Sequence, residues 1–281
     1  MKFIFYYQTF STSIKPVLYP GTPLTHIHLS SIHFGKNWNG SLYIHLNNLS
    51  PYDASFDNVW KEMEMASAQG IKVMLMIGGA GGGYASLFSD FTKYYSLLHQ
   101  LIKDKPFIAG VDLDVEEPVE MSDIQKLIYH LKHDFGKSFL ISMAPVQSSL
   151  QYDGPGMGGF SYKDLLNTDE GKMIDYFNGQ FYNDYSESAF TQVVKNGYAP
   201  EKVVMGQVAG ESIDVKELKK INNKYGETFG GVFFWEYFQA PPYPNAWLTS
   251  MKSLLNKPNS ESRPSKYCCI LWKLNKKKGG L

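Results

Sequence analysis

The sequence predicts an α/β chain that closes into a (β/α)8 TIM barrel, as a single domain. Three observations carry that prediction: eight short runs rich in Val, Ile, Phe and Tyr, amphipathic stretches of helical period between them, and glycines placed just past the ends of those stretches. The strand-like runs are residues 3–10, 25–34, 72–79, 108–116, 138–146, 177–183, 202–209 and 231–238. Helical patterns fall at 56–69, 85–105, 122–135, 162–175, 187–196, 214–225 and 245–255, with stop signals at Gly70, Gly136, Gly197 and Gly226. Strands that alternate with helices argue for parallel pairing through right-handed crossovers, and a chain of 281 residues closes most economically as a barrel. The alternative is an open, doubly wound sheet. Two segments depart from the regular alternation. Residues 41–48, where Leu42, Ile44 and Leu46 alternate with Tyr43, His45 and Asn47, read as a small extra strand in the second βα segment. Residues 147–160 hold Gly154, Gly156, Gly158 and Gly159 and are expected to be irregular, on the rim where barrels carry their active sites.

Composition narrows the class of function. With 43% hydrophobic and 15% aromatic residues, the bulk of the chain can bury a substantial core. Formal charge is zero, but residues 257–281 carry seven basic side chains against Glu261, which leaves the remainder net acidic by about six. Nucleic acid is therefore not expected as a partner of the body. The expected domains are a catalytic barrel over 1–257 and a basic, disordered tail over 258–281. Cys268 and Cys269 are adjacent in that tail, where a palmitoylated or membrane-touching end is the alternative, and they cannot build a disulfide framework or a zinc site. His26, His28 and His33 lie near one strand without thiol partners and read as packing or polar lining, so no metal and no cofactor are expected. The apolar start of the chain is interrupted by Gln8, Thr9 and Ser11 before a leader's apolar core is reached, and it reads as the first strand. No stretch approaches the ~20 apolar residues of a membrane span. The chain as given is expected to be a cytoplasmic monomer unless another route exports it.

The chemistry-bearing feature is the run Gly-Val-Asp-Leu-Asp-Val-Glu at 110–116. In a strand, Asp112, Asp114 and Glu116 point one way and Val111, Leu113 and Val115 the other. Three acids opposite an apolar face are costly unless they line a polar or ligand-filled cavity, although an edge strand with a solvated face produces the same pattern. Three close carboxylates titrate as a coupled set, and one of them stays protonated near neutrality, the condition a general acid needs. Other strand ends supply companions: Met143 in the fifth, Gln180 and Tyr182 on one face of the sixth with Phe181 turned away, and Trp235 in the eighth. Met143 and Trp235 fit plain core equally well. The glycine run at 78–83 lacks the register of a dinucleotide loop and is not followed by Lys-Ser/Thr, so a nucleotide site is rejected.

These residues resemble glycoside hydrolase family 18, whose signature on the fourth barrel strand is Asp-x-Asp-x-Glu. The likeness is greatest to fungal-type endo-β-N-acetylglucosaminidases and related single-domain chitinases. It runs from about residue 6 to 238, through 74–79, 112–118, 140–146, 159–162, 180–183 and 230–238. The resemblance implies retaining, substrate-assisted hydrolysis, in which the sugar's own acetamido oxygen attacks the anomeric carbon and forms an oxazolinium. It further implies that Glu116 protonates the leaving oxygen, Asp114 orients the acetamido N–H, Tyr182 bonds its oxygen, and Asp112 lies deeper and shares a proton with Asp114. Trp235 would floor the sugar, Gln180, Asn183 and Met143 would wall it, and the backbone at Gly79 would let the glycan approach closely. Ala109 stands where the family often has a polar residue, and its parity keeps it out of the acid ladder. About twenty residues separate the seventh and eighth strands, too few for the α+β insertion of polymer-threading chitinases. The implied substrate is an N-acetylglucosamine-containing glycan, either the N-glycan core chitobiose or chitin. A silent, chitin-binding lectin on the same barrel is the non-enzymatic alternative, disfavoured by the presence of Glu116.

Overall fold

A computed structural model describes residues 1–208, 214–239 and 244–255. The strands are β1 (Lys2–Tyr7), β2 (His26–Lys36), β3 (Leu42–Leu46), β4 (Lys72–Gly78), β5 (Ile108–Asp114), β6 (Leu140–Met143), β7 (Tyr176–Gln180), β8 (Val203–Val208) and β9 (Gly231–Trp235). Their order is β1-β9-β8-β7-β6-β5-β4-β2-β3, and a further β1–β2 pairing closes the ring. Eight strands, all but β3, therefore form a closed parallel barrel. The open-sheet alternative is excluded. The extra strand expected near 41–48 is β3, antiparallel to the upper half of β2.

The helices are α1 (Asp57–Ala68), α2 (Tyr84–Ser89), α3 (Phe91–Asp104), α4 (Met121–Phe135), α5 (Gln147–Gln151), α6 (Tyr162–Leu166), α7 (Glu187–Lys195), α8 (Val215–Tyr225) and α9 (Pro244–Leu255). The single helix expected over 85–105 is two, because Asp90 leaves helical geometry (φ −147°, ψ 70°) and caps α3 by accepting from the Lys93 N–H. The helix expected over 162–175 stops at Leu166. Thr168 bonds back to the Leu165 carbonyl and then accepts from Gly171 N–H, and the chain turns into a 3-10 segment at Gly171–Met173. Within the glycine-rich stretch 147–160, α5 is a short helix that was not expected. The tail from 258 onward, with Cys268 and Cys269, lies outside the described residues.

Two apolar layers result from strand alternation. The larger lies between barrel and helices and includes Phe5, Ile27, Leu75, Val111, Leu113, Ile141 and Phe177. The smaller fills the cylinder: Ile4, Tyr6, Met74, Met76, Tyr176, Val204 and Phe233, with Tyr182 and Trp235 packed on it. It leaves no room at Gly206, where an added Cβ would stand 1.8 Å from Phe233 Cζ. Gly206→Ala is expected to destabilise the fold by about 1–3 kcal/mol through overpacking, read as a lowered denaturation midpoint at unchanged m-value.

Candidate active site

Register on β5 sets the site. Asp112 lies beside Met76 of β4 and Ser142 of β6, and Asp114 lies beside Gly78. The strand ends at Asp114, so Glu116 sits in the turn above and not, as expected, on the strand itself. A cavity of about 320 Å³ opens at this end of the barrel. It is lined by Asp114, Glu116, Gln180, Tyr182, Trp235 and Gly79, together with Gln8, Ser31, His33, Met76, Gly78, Ala80 and Gly81.

The two aspartates occupy opposite electrostatic settings. Asp112 is fully buried below the cavity. Its Oδ2 accepts from the Tyr6 hydroxyl at 2.7 Å, and its Oδ1 accepts from the Ser142 hydroxyl at 2.6 Å and the Asn178 amide at 3.1 Å. His28 Nδ1 stands 3.3 Å from Oδ2. Burial alone would raise the Asp112 carboxyl, but His28 and the hydroxyl donors outweigh it and hold the pKa below the ordinary value. Asp114 is pushed well above the ordinary value, first by burial and then by the negative charges of Glu116 and Asp112. Among the described residues its side-chain donor is the Gln180 amide, 3.3 Å from Oδ1. Both Asp112 oxygens are engaged by donors, and the directions of the two shifts place the proton of the pair preferentially on Asp114. Tyr182 is also held protonated, by burial and then by the charges of Asp114, Glu116 and Asp112.

The surrounding loops place these groups. Gly78 and Gly79 both adopt positive φ (95° and 78°), and a Cβ on Gly78 would stand 2.3 Å from the Asp114 carbonyl. Glu117 accepts from the Tyr84 N–H at 2.5 Å, which ties the turn carrying Glu116 to the start of α2. Glu236, beside Trp235, accepts from the backbone N–H of Gln8 and Thr9, each at 2.9 Å.

Two expected wall residues are misplaced. Met143 is fully buried in the outer layer, because its neighbours Leu113 and Phe177 face the helices; the inward residue of β6 is Ser142. Asn183 is exposed beyond the end of β7 and does not line the cavity. Phe181 is turned into the outer core, as expected. Ala109 lies in an outer groove with Lys72, Ile102 and Phe139, away from the acids. Not anticipated as site residues were Gln8, Ser31, His33 and Met76, nor the buried cradle of Tyr6, His28, Ser142 and Asn178. The signal for the cradle was parity: Tyr176, Asn178 and Gln180 alternate with Phe177 and Gly179. A larger groove, about 480 Å³, is lined by Tyr129, Lys132, Lys137 and Lys202 among others. Its carboxylate, Asp175, is already engaged by Lys132 at 2.9 Å and by the Ile141 N–H at 2.8 Å. Among the described residues no cluster of His, Cys, Asp and Glu could hold a metal ion. No helix among them is long and apolar enough to cross a membrane.

Adjacent carboxyls at the C-terminal mouth of a (β/α)8 barrel, one inside the rim and one above it, with Trp235 in the same cavity, are an arrangement that suits a glycosidase on this fold. The chain belongs to the glycosyl hydrolases family 18, whose model matches residues 2–214. It is similar to a fungal endo-beta-N-acetylglucosaminidase of that family at 33% identity, with TM-score 0.79, over 91% of this chain and 98% of that one. It is similar to the chitinase ChiC from Aspergillus fumigatus at 30% identity, with TM-score 0.77, over 90% of this chain and 98% of that one. A family 18 chitinase from Pseudoalteromonas aurantia, at 22% identity and TM-score 0.68 over 91% of this chain and all of that one, shares the fold. Among curated proteins none matches the chain.

Proposed function

We propose that the protein hydrolyses the β-1,4 bond between the two core N-acetylglucosamine residues of an N-glycan, by substrate-assisted retention. The observation that carries this reading is the single cavity in which Asp114, held protonated, lies with Glu116, Tyr182, Gln180 and Trp235. Trp235 offers an apolar ring to one face of the pyranose. The acetamido oxygen attacks C1 while Glu116 gives its proton to the departing glycosidic oxygen. Asp114 has by then passed its proton to Glu116, the proton that the leaving oxygen receives, and as a carboxylate it accepts from the acetamido N–H as positive charge develops on the ring being formed; the Tyr182 hydroxyl donates to the acetamido oxygen and aligns it. Water then opens the oxazolinium at C1, with Glu116 now taking a proton, and the product keeps the β configuration.

The likeness to a fungal endo-beta-N-acetylglucosaminidase supports the N-glycan reading. The nearly equal identity to a chitinase supports a second, in which chitin or its oligomers are cleaved at the same bond type. Incubation with a high-mannose glycoprotein and, separately, with chito-oligosaccharides tests both. Release of a glycan ending in one N-acetylglucosamine, leaving the other on asparagine, is the expected result, read by mass spectrometry. Products from the chito-oligosaccharides alone would replace the first reading with the second. Glycan binding without turnover of either substrate would mean a lectin.

A further inference from the structure

The cavity, at about 320 Å³, lies at the small end of the ~300–1,000 Å³ span of ligand pockets. It holds a sugar ring and its substituents, so the rest of an oligosaccharide must run over the rim. On one side that rim is the β2–β3 hairpin. Residues Ile32, Phe34, Ile44 and Leu46 are buried on the hairpin's outer face, and Phe34 packs edge-on against Tyr94 of α3 at 5.9 Å. By alternation the opposite face carries His33, Gly35, Tyr43 and His45, in the pairs His33–His45 and Gly35–Tyr43.

His33 lines the catalytic cavity, where its Nδ1 meets the Gly82 carbonyl at 2.8 Å, so this face continues the cavity wall outward. Tyr43 and His45 stack with ring centroids 3.9 Å apart and planes 19° from parallel. The Tyr43 ring lies on Gly35, where a Cβ would stand 2.2 Å from its hydroxyl. Both rings are only partly covered. At the hairpin turn Trp38 is wholly exposed. The turn holding it is ordered: Asn39 Oδ1 accepts from Ser41 N–H at 3.0 Å and from the Ser41 hydroxyl at 2.7 Å. Burial and the facing His33 depress the His45 imidazole, so the stacked pair is uncharged at neutral pH. The basic residue Lys36 has the parity of the outer face. A strip of neutral rings with a phenol and an imidazole meets the C–H faces and hydroxyls of a neutral saccharide, and it has no lysine or arginine to attract an anionic ligand.

We propose that the inner face of the β2–β3 hairpin, through Tyr43 and His45 with Trp38 at its tip, is a second saccharide-binding surface holding sugar units of the substrate that lie beyond the catalytic cavity. It rests on the glycan-hydrolase reading above and adds to it the path of the distal sugars. The test is calorimetric binding to the Glu116→Gln protein, with chitobiose as the short probe and a high-mannose glycopeptide and chitohexaose as long ones. Trp38→Ala and Tyr43→Ala, each added to that background, are expected to weaken the long probes about three- to tenfold, the range of one aromatic contact. Chitobiose affinity should change less than about twofold and melting temperature less than about 2 °C. Long-probe affinities equal to the parent's would overturn the proposal, as would equal losses on short and long probes, which mean general damage to the cavity. If the Glu116-containing enzyme cleaves neither glycopeptide nor chitohexaose, the catalytic reading fails, while selective loss of long-probe binding still supports the surface. If the parent binds no saccharide, both fall.

Discussion

Glu116→Gln is expected to lower turnover of a chito-oligosaccharide by about 10²–10⁴-fold, the usual contribution of a positioned general acid, while KM moves by less than about threefold. The substitution keeps the shape of a half-exposed side chain in the turn above β5. Its effect on melting should therefore be small, and a loss of activity with an unchanged melt isolates chemistry from folding. The size of the expected loss follows from the absence of a substitute among the described residues lining the cavity. Asp114 is protonated, but it lies on the strand one step below, and its proton goes to the leaving oxygen by way of Glu116. The Tyr182 proton is held more tightly than that of a free phenol. His33 is tied through Nδ1 to the Gly82 carbonyl on the far loop. Turnover within about threefold of the parent would remove Glu116 from the mechanism and with it the assignment of Asp114 as its partner.

The barrel was legible because its signals are redundant: seven of the eight strand runs are followed by a helical pattern, and closure is the economical outcome for that many strands. Helix continuity was less legible. Residues 85–105 keep an apolar period across Asp90, and periodicity does not register a cap that interrupts it. Residues 162–175 lose their helix to the side-chain and backbone bonds of Thr168 and Gly171, a local competition that hydrophobic pattern cannot weigh.

In the site, parity served better than proximity to a strand end. It separated Asp112 and Asp114 from Val111 and Leu113, and Gln180 and Tyr182 from Phe181. Met143 was assigned by proximity alone, and the same parity rule, applied from Ser142 opposite Asp112, sends it outward. The depth of the acid pair was beyond such reasoning. Which aspartate keeps the proton depends on Tyr6, His28 and Asn178, which come from strands distant in sequence and meet only when β1, β2 and β7 join the ring.

That division of charge makes Asp114→Asn an expected case of stability gained as activity is lost. The folded protein binds the Asp114 proton more tightly than the unfolded chain, whose aspartates titrate near ~4. Between that value and the raised folded one, the native state holds a proton that the unfolded state has released. Stability contributed by this group is therefore complete below pH ~4 and declines as pH rises through that window. Asparagine carries no charge to desolvate, and its amide oxygen can still accept from Gln180. The Asn protein should match the parent at pH ~4 and melt progressively higher than it toward pH 7, with each kcal/mol worth about 2–4 °C. Turnover should fall about 10²-fold or more, because asparagine cannot become negative as the acetamido nitrogen becomes positive. Asp112→Asn should tilt the other way. Its carboxylate is held below the ordinary pKa by His28 and the hydroxyl donors, so its stabilisation is present above pH ~4 and lost as pH falls through the folded value. An amide there cannot accept from all of the Tyr6, Ser142 and Asn178 donors, and leaving one of them buried without its acceptor is expected to cost about 1–3 kcal/mol at neutral pH, a deficit that shrinks below pH ~4. Melting curves of the two variants against the parent, from about pH 2 through 7, should therefore change in different windows: the Asp114→Asn gain appears above pH ~4 and grows toward 7, while the Asp112→Asn deficit is flat there and shrinks only below pH ~4. Parallel curves would mean that the two aspartates share one electrostatic setting, and the proton would then have no fixed owner from which Glu116 could be charged for catalysis.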